Sequence, residues 1–540
     1  MQEEQIKSPV GMPIMSINDA NQFKDERFIR QLENIILPVY LKRCRWFGGK
    51  AMSMLAVKVY QHIPVHYDSY VAALLLIKVR YEQHATEIYS LPIGIATRDA
   101  DIPAEGVIAA NEEVMLVDAI YQEQFRIWLF RLMKNRTKLQ GAHYPVEGSI
   151  GGIFNPELLI SDSSVLKAEQ SNSSIIYGEK YFFKLFRKIE YTVNPDQEII
   201  QFLTEKTGFK NIPAFAGAIQ VTHPEKGNAL VGMMQALVPN DGNAWSWYLN
   251  KVRKYYGIIE TYQDQPPEKM LSLSMNFEDI SEPYKAGIDH ELYSVSVRLG
   301  AITARMHQAL ASGKDEAFAP EDFDAEQANS FKEHLHKLVD HKFRLLSGNF
   351  DKVPDFLKDD TKEITNMGDR VKAFFDRKLS NVVSCKSIRI HGDYHLGQVL
   401  MGKDDLVVLD FEGEPDKLHH ERRMKHPPVK DVAGMMRSFR YAAYAVLFEK
   451  YGNQPELLEK LIPFADYWYH CVSRFYLGSY LQTMQGSDLL PEGEAIIPLL
   501  QAYSFEKAVY ELGYEINNRP DWAVIPLQSI VKFIKYYLHE

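Results

Sequence analysis

Patterns of apolar residues divide the chain into a mixed N-terminal part and a mainly helical remainder. Apolar positions at helical spacing predict a helix from Asp25 to Leu41 and another at Tyr121–Met133. Between them, segments rich in β-branched and aromatic residues predict strands at Met54–Val65, Tyr70–Arg80 and Ala85–Ile93. This mixture of helices and strands is typical of an α+β unit.

A second set of strands follows, near residues 163–187 and 215–237, with a helix that starts at Pro195 between them. The rest of the chain is mainly helical, although Gln263–Ser281 and Gly313–Glu326 are polar enough to predict loops. The pattern therefore predicts three units, at residues 1–155, 156–240 and 241–540.

Composition narrows the class of protein without naming its chemistry. Of 540 residues, 46% are hydrophobic and 24% are charged, which is typical of a soluble globular protein. The net charge of −10 gives no electrostatic reason to bind nucleic acid or an anionic membrane. No apolar run approaches the roughly 20 residues of a membrane-spanning helix, and the N-terminus lacks a signal-peptide pattern. Three scattered cysteines favour free thiols in a reducing cytosol, so a cytoplasmic location is expected.

One hairpin in the helical half brings polar residues together. Val399–Met401 and Leu406–Leu409 read as short strands joined by a turn. Folding this hairpin returns Asp410 to the loop that precedes it, so that Asp393, Gln398 and Asp410 converge. Either half of the motif alone is equally typical of a plain turn or a surface cap, but their combination and order favour a catalytic site.

Phosphoryl transfer from ATP requires such a set, because catalysis there is mostly positioning and charge neutralisation. Asp393 is the candidate base that accepts the proton of the acceptor hydroxyl. Gln398 and Asp410 are the candidate ligands of Mg²⁺, which prefers oxygen donors. Asp393 precedes Gln398 by five positions, as the catalytic Asp precedes the metal-binding Asn in protein kinases.

The motifs around this hairpin resemble those of maltokinases, within the aminoglycoside-phosphotransferase-like kinases. The resemblance rests on His391–Leu400, Asp410–Pro415, Asp431–Phe439 and Arg45–Ala51, and extends from about residue 30 to 535. It implies a bilobal kinase-like α+β fold with an N-terminal cap, a small nucleotide-binding lobe and a helical lobe. In that fold, the segment around Trp46 packs against the small lobe.

The resemblance also implies a reaction and its setting. Maltokinases use ATP and Mg²⁺ to convert maltose to maltose 1-phosphate, which feeds α-glucan (glycogen) synthesis. A monomer or weak homodimer is expected, with functional links to trehalose synthase and maltosyltransferase. No nucleic-acid or membrane partner is expected.

The nucleotide side offers a lysine on a strand. Lys184 lies in a predicted strand, Tyr181–Phe186, on the same face as two phenylalanines. A solvated edge-strand lysine is the alternative. On resemblance, Glu198 in the following helix pairs with Lys184, and Asp196 is the weaker candidate.

No Gly-rich phosphate loop is present, and Glu169–Ser174 stands in its place. Ser171, Asn172 and Ser173 in this loop are expected to cover the phosphates, matching a maltokinase pattern, although such runs are often plain turns. The backbone of Gln235 and Leu237 is the candidate contact for adenine.

The candidate acceptor site lies on a helix near the C-terminus. Lys507, Tyr510 and Tyr514 share one helical face, which suits a sugar because aromatic rings stack on its apolar side. A plain amphipathic helix is the alternative. The resemblance implies that these three residues contact maltose, and further contacts are expected from Glu412, Arg519 and Trp522.

Several histidines and one aspartate are given supporting roles. His391 is expected to lock the catalytic loop by hydrogen bonds rather than to bind metal together with His395, because kinases hold Mg²⁺ with oxygen donors. Asp431 either caps its helix or ties down the same loop, and the resemblance favours the second. His307 is expected to be a packed helix residue.

Three hypotheses for function follow. The first is an ATP:maltose 1-phosphotransferase, and the second is a kinase of another sugar or amino sugar, such as glucosamine. The third is a non-catalytic binding module on the same fold, which the intact set of Lys184, Asp393, Gln398 and Asp410 disfavours. The chain departs from the maltokinase pattern at Tyr394 and in the two polar loops.

Overall fold

The computed structural model describes residues 22–158, 162–166, 171–262, 264–267, 272–353, 358–380, 385–415, 417–519 and 522–538. They form two compact units. The first holds the described residues up to Glu205 together with Pro213–Leu237, and the second holds Lys206–Ile212 and the described residues from Val238 onward. The finer division at residues 155 and 240 stays a prediction.

The first unit begins with a helical segment and an antiparallel sheet. Its elements are α1 Glu26–Gln31, a π-turn Leu32–Ile36, α2 Leu37–Arg43, β1 Met54–Tyr67, β2 Tyr70–Tyr81, β3 Glu87–Thr97, β4 Val107–Ala110, β5 Val114–Asp118 and α3 Glu123–Lys134. The strands pair in the order β1-β2-β3-β5-β4. The predicted helices and strands are confirmed, although the π-turn interrupts the first helix. Strands β4 and β5 were not predicted, because they are short and buried on both faces and show no alternation.

A second antiparallel sheet completes this unit. The remaining elements of the unit are β6 Lys138–Gln140, β7 Pro145–Ile150, β8 Ser163–Leu166, β9 Ser173–Tyr177, β10 Tyr181–Leu185, β11 Lys188–Ile189, α4 Pro195–Lys206, β12 Phe215–His223 and β13 Gly227–Ala236. The order is β6-β7-β12-β13-β10-β9-β8, and β11 pairs with β3 of the first sheet. One apolar core joins both sheets, with Leu74 of β2, Trp128 of α3 and Phe183 of β10 in the same cluster.

The second unit is mainly helical. Its elements are β14 Asn240–Asn243, α5 Ala244–Ile259, α6 Glu282–Lys285, α7 His290–Leu310, β15 Glu321–Asp322, α8 Ala325–Gly348, α9 Lys358–Thr365, α10 Gly368–Leu379, β16 Lys386–Ser387, β17 Val399–Gly402, β18 Leu406–Val408, α11 His419–Arg422, α12 Val429–Tyr451, α13 Pro455–Met484, α14 Ile497–Asn518 and α15 Val524–Leu538. A small sheet, β14-β17-β18, is built around the predicted hairpin.

The two polar stretches differ from expectation in part. Gly313–Glu326 is not wholly a loop, because it contains β15 and the start of α8, where Asp324 caps the helix by accepting from the Gln327 N–H. Of Gln263–Ser281, residues 263 and 268–271 lie outside the described residues. Among the described helices, none has the length and apolar character needed to span a membrane.

Candidate active site

The hairpin β17–β18 places Asp410 beside Gln398. The strands pair in register from Val399 opposite Val408, and the Leu409 N–H donates to the Gln398 carbonyl oxygen at 2.9 Å. The Gln398 amide nitrogen then lies 3.2 Å from Asp410 Oδ2. Asp410 itself has a φ of 63°, a left-handed conformation that is uncommon for a residue other than glycine. This strained position turns its carboxylate back toward the loop.

Asp431 holds the loop that carries Asp393. Its two carboxylate oxygens accept the backbone N–H groups of His391 at 2.8 Å and of Gly392 at 3.0 Å. The His391 ring donates from Nε2 to the Leu409 carbonyl oxygen at 2.8 Å, which joins the loop to the end of the hairpin. Gly392 has a φ of 86°, and a Cβ there would lie 3.2 Å from the Cα of Gly413. The backbone that precedes Asp393 is therefore closely constrained.

His307 is a buried helix residue, as predicted from the sequence, and it also extends this support, which was not predicted. Its Nε2 lies 3.1 Å from Asp431 Oδ2, and its Nδ1 lies 2.9 Å from the Tyr480 hydroxyl. Burial by itself raises the pKa of Asp431, but the hydrogen bond from His307 and the nearby N–H of Gly392 hold it below its ordinary value. No local signal reveals the contact, since His307 and Asp431 are 124 positions apart.

Lys507 of α14 contacts the candidate base directly. Its Nζ lies 3.4 Å from Asp393 Oδ1 and 3.2 Å from Glu414 Oε1. Burial by itself lowers the pKa of the Lys507 ammonium, but the charges of Asp393 and Glu414 raise it above its ordinary value. Burial alone likewise raises the pKa of Glu414, yet Lys507 and two further lysines hold it far below its ordinary value. Glu414 is not among the site residues predicted from the sequence.

The other predicted acceptor residues lie around this lysine and further along α14. The Tyr510 ring lies 5.3 Å from Lys507 Nζ. Tyr514 is 51% exposed, and the Arg519 guanidinium lies 5.7 Å from its ring and 4.8 Å from that of Trp522. Arg519 also donates twice to Glu515, at 2.9 and 2.6 Å.

Glu412 follows Asp410 by two positions. Its carbonyl oxygen accepts from Arg422 Nη1 at 3.5 Å, so its backbone is joined to α11. The structure thus brings Asp393, Lys507 and Tyr510 together. Contacts of Glu412, Tyr514, Arg519 and Trp522 with a sugar stay predictions.

In the first unit, Lys184 of β10 is buried against Asp196. Its Nζ lies 3.5 Å from Asp196 Oδ2, and 5.3 Å from the centre of the Phe186 ring. The weaker candidate from the sequence, Asp196 on the first turn of α4, thus contacts Lys184. The pairing of Lys184 with Glu198, two positions later, stays a prediction.

The described part of the Ser/Asn loop is anchored from the N-terminal sheet. Ser173 Oγ accepts from Arg187 Nε at 2.8 Å, while Arg187 Nη2 forms a fully buried ion pair with Asp118 at 2.6 Å. The Arg187 guanidinium lies 4.9 Å from the Trp46 ring, so the expected packing of the Trp46 segment against the small lobe is confirmed. Ser171 Oγ accepts from Asn172 Nδ2 at 3.3 Å. Residues 169 and 170 lie outside the described residues. Arg187 is not among the site residues predicted from the sequence.

The contacts of the Gln235 and Leu237 backbone with adenine stay predictions. The Leu237 N–H already donates to the Lys180 carbonyl oxygen at 2.8 Å, so this N–H is not available to an adenine edge. Its carbonyl oxygen remains the candidate contact. Gln235 lies in β13 between Phe182 of β10 and Phe215 of β12, with its side chain buried.

The chain has an aminoglycoside-phosphotransferase-like kinase fold with an N-terminal cap. Two family models match the chain. The maltokinase N-terminal cap domain matches residues 40–121, and the phosphotransferase enzyme family matches residues 267–461. The chain therefore combines a maltokinase-type cap with a phosphotransferase domain, which confirms the resemblance found in its motifs.

Individual relatives are more distant. A glucosamine kinase of Streptacidiphilus jiangxiensis is 23% identical over 378 residues, covering 68% of this chain and 72% of the relative. A glucosamine kinase of Mycolicibacterium smegmatis is 22% identical over 366 residues, covering 67% and 77%. A solved structure of glucosamine kinase in complex with glucosamine, ADP and inorganic phosphate matches with a TM-score of 0.59 at 17% identity, over 88% of this chain and 94% of that chain. At this identity the structural likeness shows the fold alone.

Proposed function

We propose that this protein is an ATP-dependent sugar kinase that phosphorylates maltose at its anomeric hydroxyl. The observation that carries the proposal is the position of Asp393. It lies on a loop held by Asp431, in contact with Lys507 and preceding the Gln398–Asp410 pair. Asp393 accepts the proton of the acceptor hydroxyl as the oxygen attacks the γ-phosphorus of ATP, and the bond from that phosphorus to the β,γ-bridging oxygen breaks to release ADP.

The residues present fit a magnesium ion. The Gln398 amide nitrogen lies 3.2 Å from Asp410 Oδ2, so the two side chains are adjacent. The amide oxygen of Gln398 and the carboxylate of Asp410 are donors of the kind that Mg²⁺ prefers. Gln398 and Asp410 would hold the ion, which neutralises charge on the phosphates when bound. Lys184, buried beside Asp196, supplies the cation for the nucleotide phosphates. The N–H groups and hydroxyls of Ser171, Asn172 and Ser173 are proposed to cover those phosphates.

The charge balance around Lys507 supports a neutral acceptor. Asp393 and Glu414 both contact Lys507, and Glu414 also pairs with Lys417. These carboxylates are therefore already compensated before a substrate arrives. An amino sugar brings its own ammonium group and needs an uncompensated carboxylate, whereas maltose brings only hydroxyls. Tyr510 and the exposed Tyr514 supply ring faces for a disaccharide.

Glucosamine is the second candidate acceptor, and the names of the relatives favour it. Two relatives carry the name glucosamine kinase, and each matches about two thirds of this chain. If glucosamine is the acceptor, its ammonium group must replace Lys507 at Glu414 or contact Glu412. The maltose proposal includes a cytoplasmic location. It also includes a product that enters α-glucan synthesis, and a functional link to trehalose synthase and maltosyltransferase.

Measuring ADP release with maltose, glucosamine and trehalose separates these candidates. We expect kcat/KM for maltose to exceed that for glucosamine at least about tenfold. A difference of one contact in the pocket between two substrates gives discrimination of this size. ³¹P NMR of the product should show phosphate on the anomeric oxygen. Preference for glucosamine would replace the first candidate by the second. If no acceptor increases the release of ADP, and if the Asp393→Asn variant releases ADP at the same background rate as wild type, a binding module would be favoured.

A further inference from the structure

The second unit has a cavity that the proposed transfer does not use. It has a volume of about 840 Å³ and is lined by residues of α12, α13, α14 and α15. Its α14 residues are Ser504, Phe505 and Ala508. At 100° per residue these lie on a different face of the helix from Lys507 and Tyr510. The volume lies within the range of small-molecule sites.

Positive charge dominates the lining of this cavity. Among the described residues that line it, five are arginine or lysine and one, Asp466, is a carboxylate. Two of the cations have carboxylate partners outside the cavity, since Arg437 pairs with Glu511 and Lys535 with Asp360. Arg440 and Lys532 share Asp466, with Arg440 Nη2 at 3.2 Å from Oδ1 and Lys532 in contact with Oδ2. Arg440 and Lys532 therefore share a single carboxylate partner in the cavity.

Arg440 is also short of hydrogen-bond acceptors. Its side chain is 8% exposed, and its buried Nε has no hydrogen-bond partner. Its guanidinium lies 4.9 Å from the Tyr444 ring and 5.3 Å from the Tyr469 ring. A buried donor without an acceptor is costly, so such a group is typical of a binding site.

Two titratable residues of the cavity, His470 and Lys532, have lowered pKa values. Burial lowers the pKa of His470 to about 3, and the positive charges of Arg474 and Arg440 act in the same direction. Burial also lowers the pKa of Lys532, with Arg440 adding to the effect and Asp466 opposing it. Burial is the main cause of both shifts, and the neighbouring arginines add a smaller effect in the same direction.

We propose that this cavity binds a sugar phosphate. Arg440 and Lys532 receive the phosphate, since guanidinium and ammonium groups bind phosphate oxygens by charge-assisted hydrogen bonds. Tyr469 and the exposed Tyr536 supply aromatic faces for the sugar ring. The Ser504 hydroxyl at the α14 wall is the candidate contact for its hydroxyl groups. The site is distinct from the catalytic loop and depends on neither maltose nor glucosamine as the acceptor.

Isothermal titration calorimetry of the full chain tests the proposal, with glucose 6-phosphate, glucose and inorganic phosphate as separate titrants. We expect glucose 6-phosphate to bind at least about tenfold more tightly than either of the others, since each contributes one half of the contacts. Lys532→Gln should weaken glucose 6-phosphate binding about tenfold. Tyr536→Ala, at an exposed position that does not endanger folding, should weaken glucose 6-phosphate binding and leave phosphate binding unchanged.

Two control variants locate the binding event. Asp393→Asn removes the candidate base and should leave the glucose 6-phosphate affinity unchanged. Lys372→Gln removes a lysine that is paired with Asp340 and Asp369 outside the cavity, and should also leave it unchanged. Equal affinity for phosphate and glucose 6-phosphate would overturn the proposal. The proposal would also be overturned if Asp393→Asn abolished the binding of glucose 6-phosphate while Lys532→Gln and Tyr536→Ala left its affinity unchanged.

Discussion

Lys507 Nζ lies 3.4 Å from Asp393 Oδ1, so a lysine of the acceptor helix contacts the candidate catalytic base. The same ammonium lies 3.2 Å from Glu414, and the two carboxylates keep it charged. Asp393 therefore has its orientation set from two directions, by the backbone of its own loop and by α14. A movement of α14 when the acceptor binds would change the position of the Asp393 carboxylate through this ion pair.

Asp393→Asn should lower kcat by about 10²–10⁴, because the amide keeps the shape of the side chain but cannot accept the acceptor proton. The coupled assay of ADP release measures this. Asp404→Asn, in the exposed turn of the same hairpin, is the matched control and should leave kcat unchanged. A kcat for Asp393→Asn within a factor of three of wild type would exclude Asp393 as the base.

Lys507→Met should raise the acceptor KM and lower kcat together, since it removes the charge that orients Asp393 while keeping most of the side-chain packing. Loss of one charge-assisted contact corresponds to about tenfold in kcat/KM. Lys507→Arg should retain more activity than Lys507→Met. Lys342→Met removes the other cation over the Tyr510 ring, 5.9 Å from its centre, and should leave kcat largely intact. Equal kinetics for Lys507→Met and wild type would contradict the proposed role.

Asp431→Asn should lower both kcat and the free energy of unfolding, the latter by about 1–3 kcal/mol, because one of the two loop N–H groups or His307 loses its acceptor. The folded-state pKa of Asp431 lies below its ordinary value, so its charge stabilises the fold above the unfolded pKa of about 3.9. That contribution is lost as the pH falls through the folded-state pKa. Urea unfolding at a series of pH values should therefore show the gap between wild type and Asp431→Asn narrowing below about pH 4. A gap that widens there would be inconsistent with this assignment.

The local parts of the site could be predicted from the sequence. Asp393, Gln398 and Asp410 belong to one loop and one hairpin, and a two-strand register is readable from short apolar runs. The face shared by Lys507 and Tyr510 follows from helical spacing alone. In each case the residues that meet are close in the chain or are related by a regular period.

The residues that support the site could not be predicted in this way. His307 reaches Asp431 across 124 positions, and Arg187 reaches Asp118 across 69. Such contacts depend on how helices and sheets pack, which no local pattern encodes. The hydrogen bond of the Leu237 N–H has the same cause, since its acceptor, the Lys180 carbonyl oxygen, lies 57 residues earlier in the chain.

Chelation of divalent metal should abolish turnover, because Gln398 and Asp410 offer oxygen donors and the acidic chain has no general attraction for ATP. Excess Mg²⁺ should restore the activity, as measured by ADP release after dialysis against a chelator. Asp410→Asn should raise the Mg²⁺ concentration needed for half-maximal activity. Full activity of the chelated protein would count against the metal assignment.

The buried pair of Asp118 and Arg187 gives the sharpest test of the first unit. Their side chains are 2% and 1% exposed, and burial raises the pKa of Asp118 although Arg187 opposes it. Arg187→Met leaves an uncompensated buried carboxylate and should lower the free energy of unfolding by about 3–5 kcal/mol. The double change Asp118→Asn with Arg187→Met should lower it by less than Arg187→Met alone, because no buried charge is then left without a partner. Denaturant unfolding of the three proteins measures this coupling.

Arg187 of this pair also donates to Ser173 Oγ, and Ser173 is predicted to contact the ATP phosphates. The double variant, with Ser173 Oγ released from Arg187, should therefore show a raised KM for ATP even where its stability is largely restored. Ser173→Ala is the matched control, because it removes the hydroxyl and leaves the Asp118–Arg187 ion pair in place. It should raise the KM for ATP with little change in the free energy of unfolding. If the double variant keeps a wild-type KM for ATP while Ser173→Ala raises it, the loop does not depend on Arg187 for its position, and the anchoring role fails.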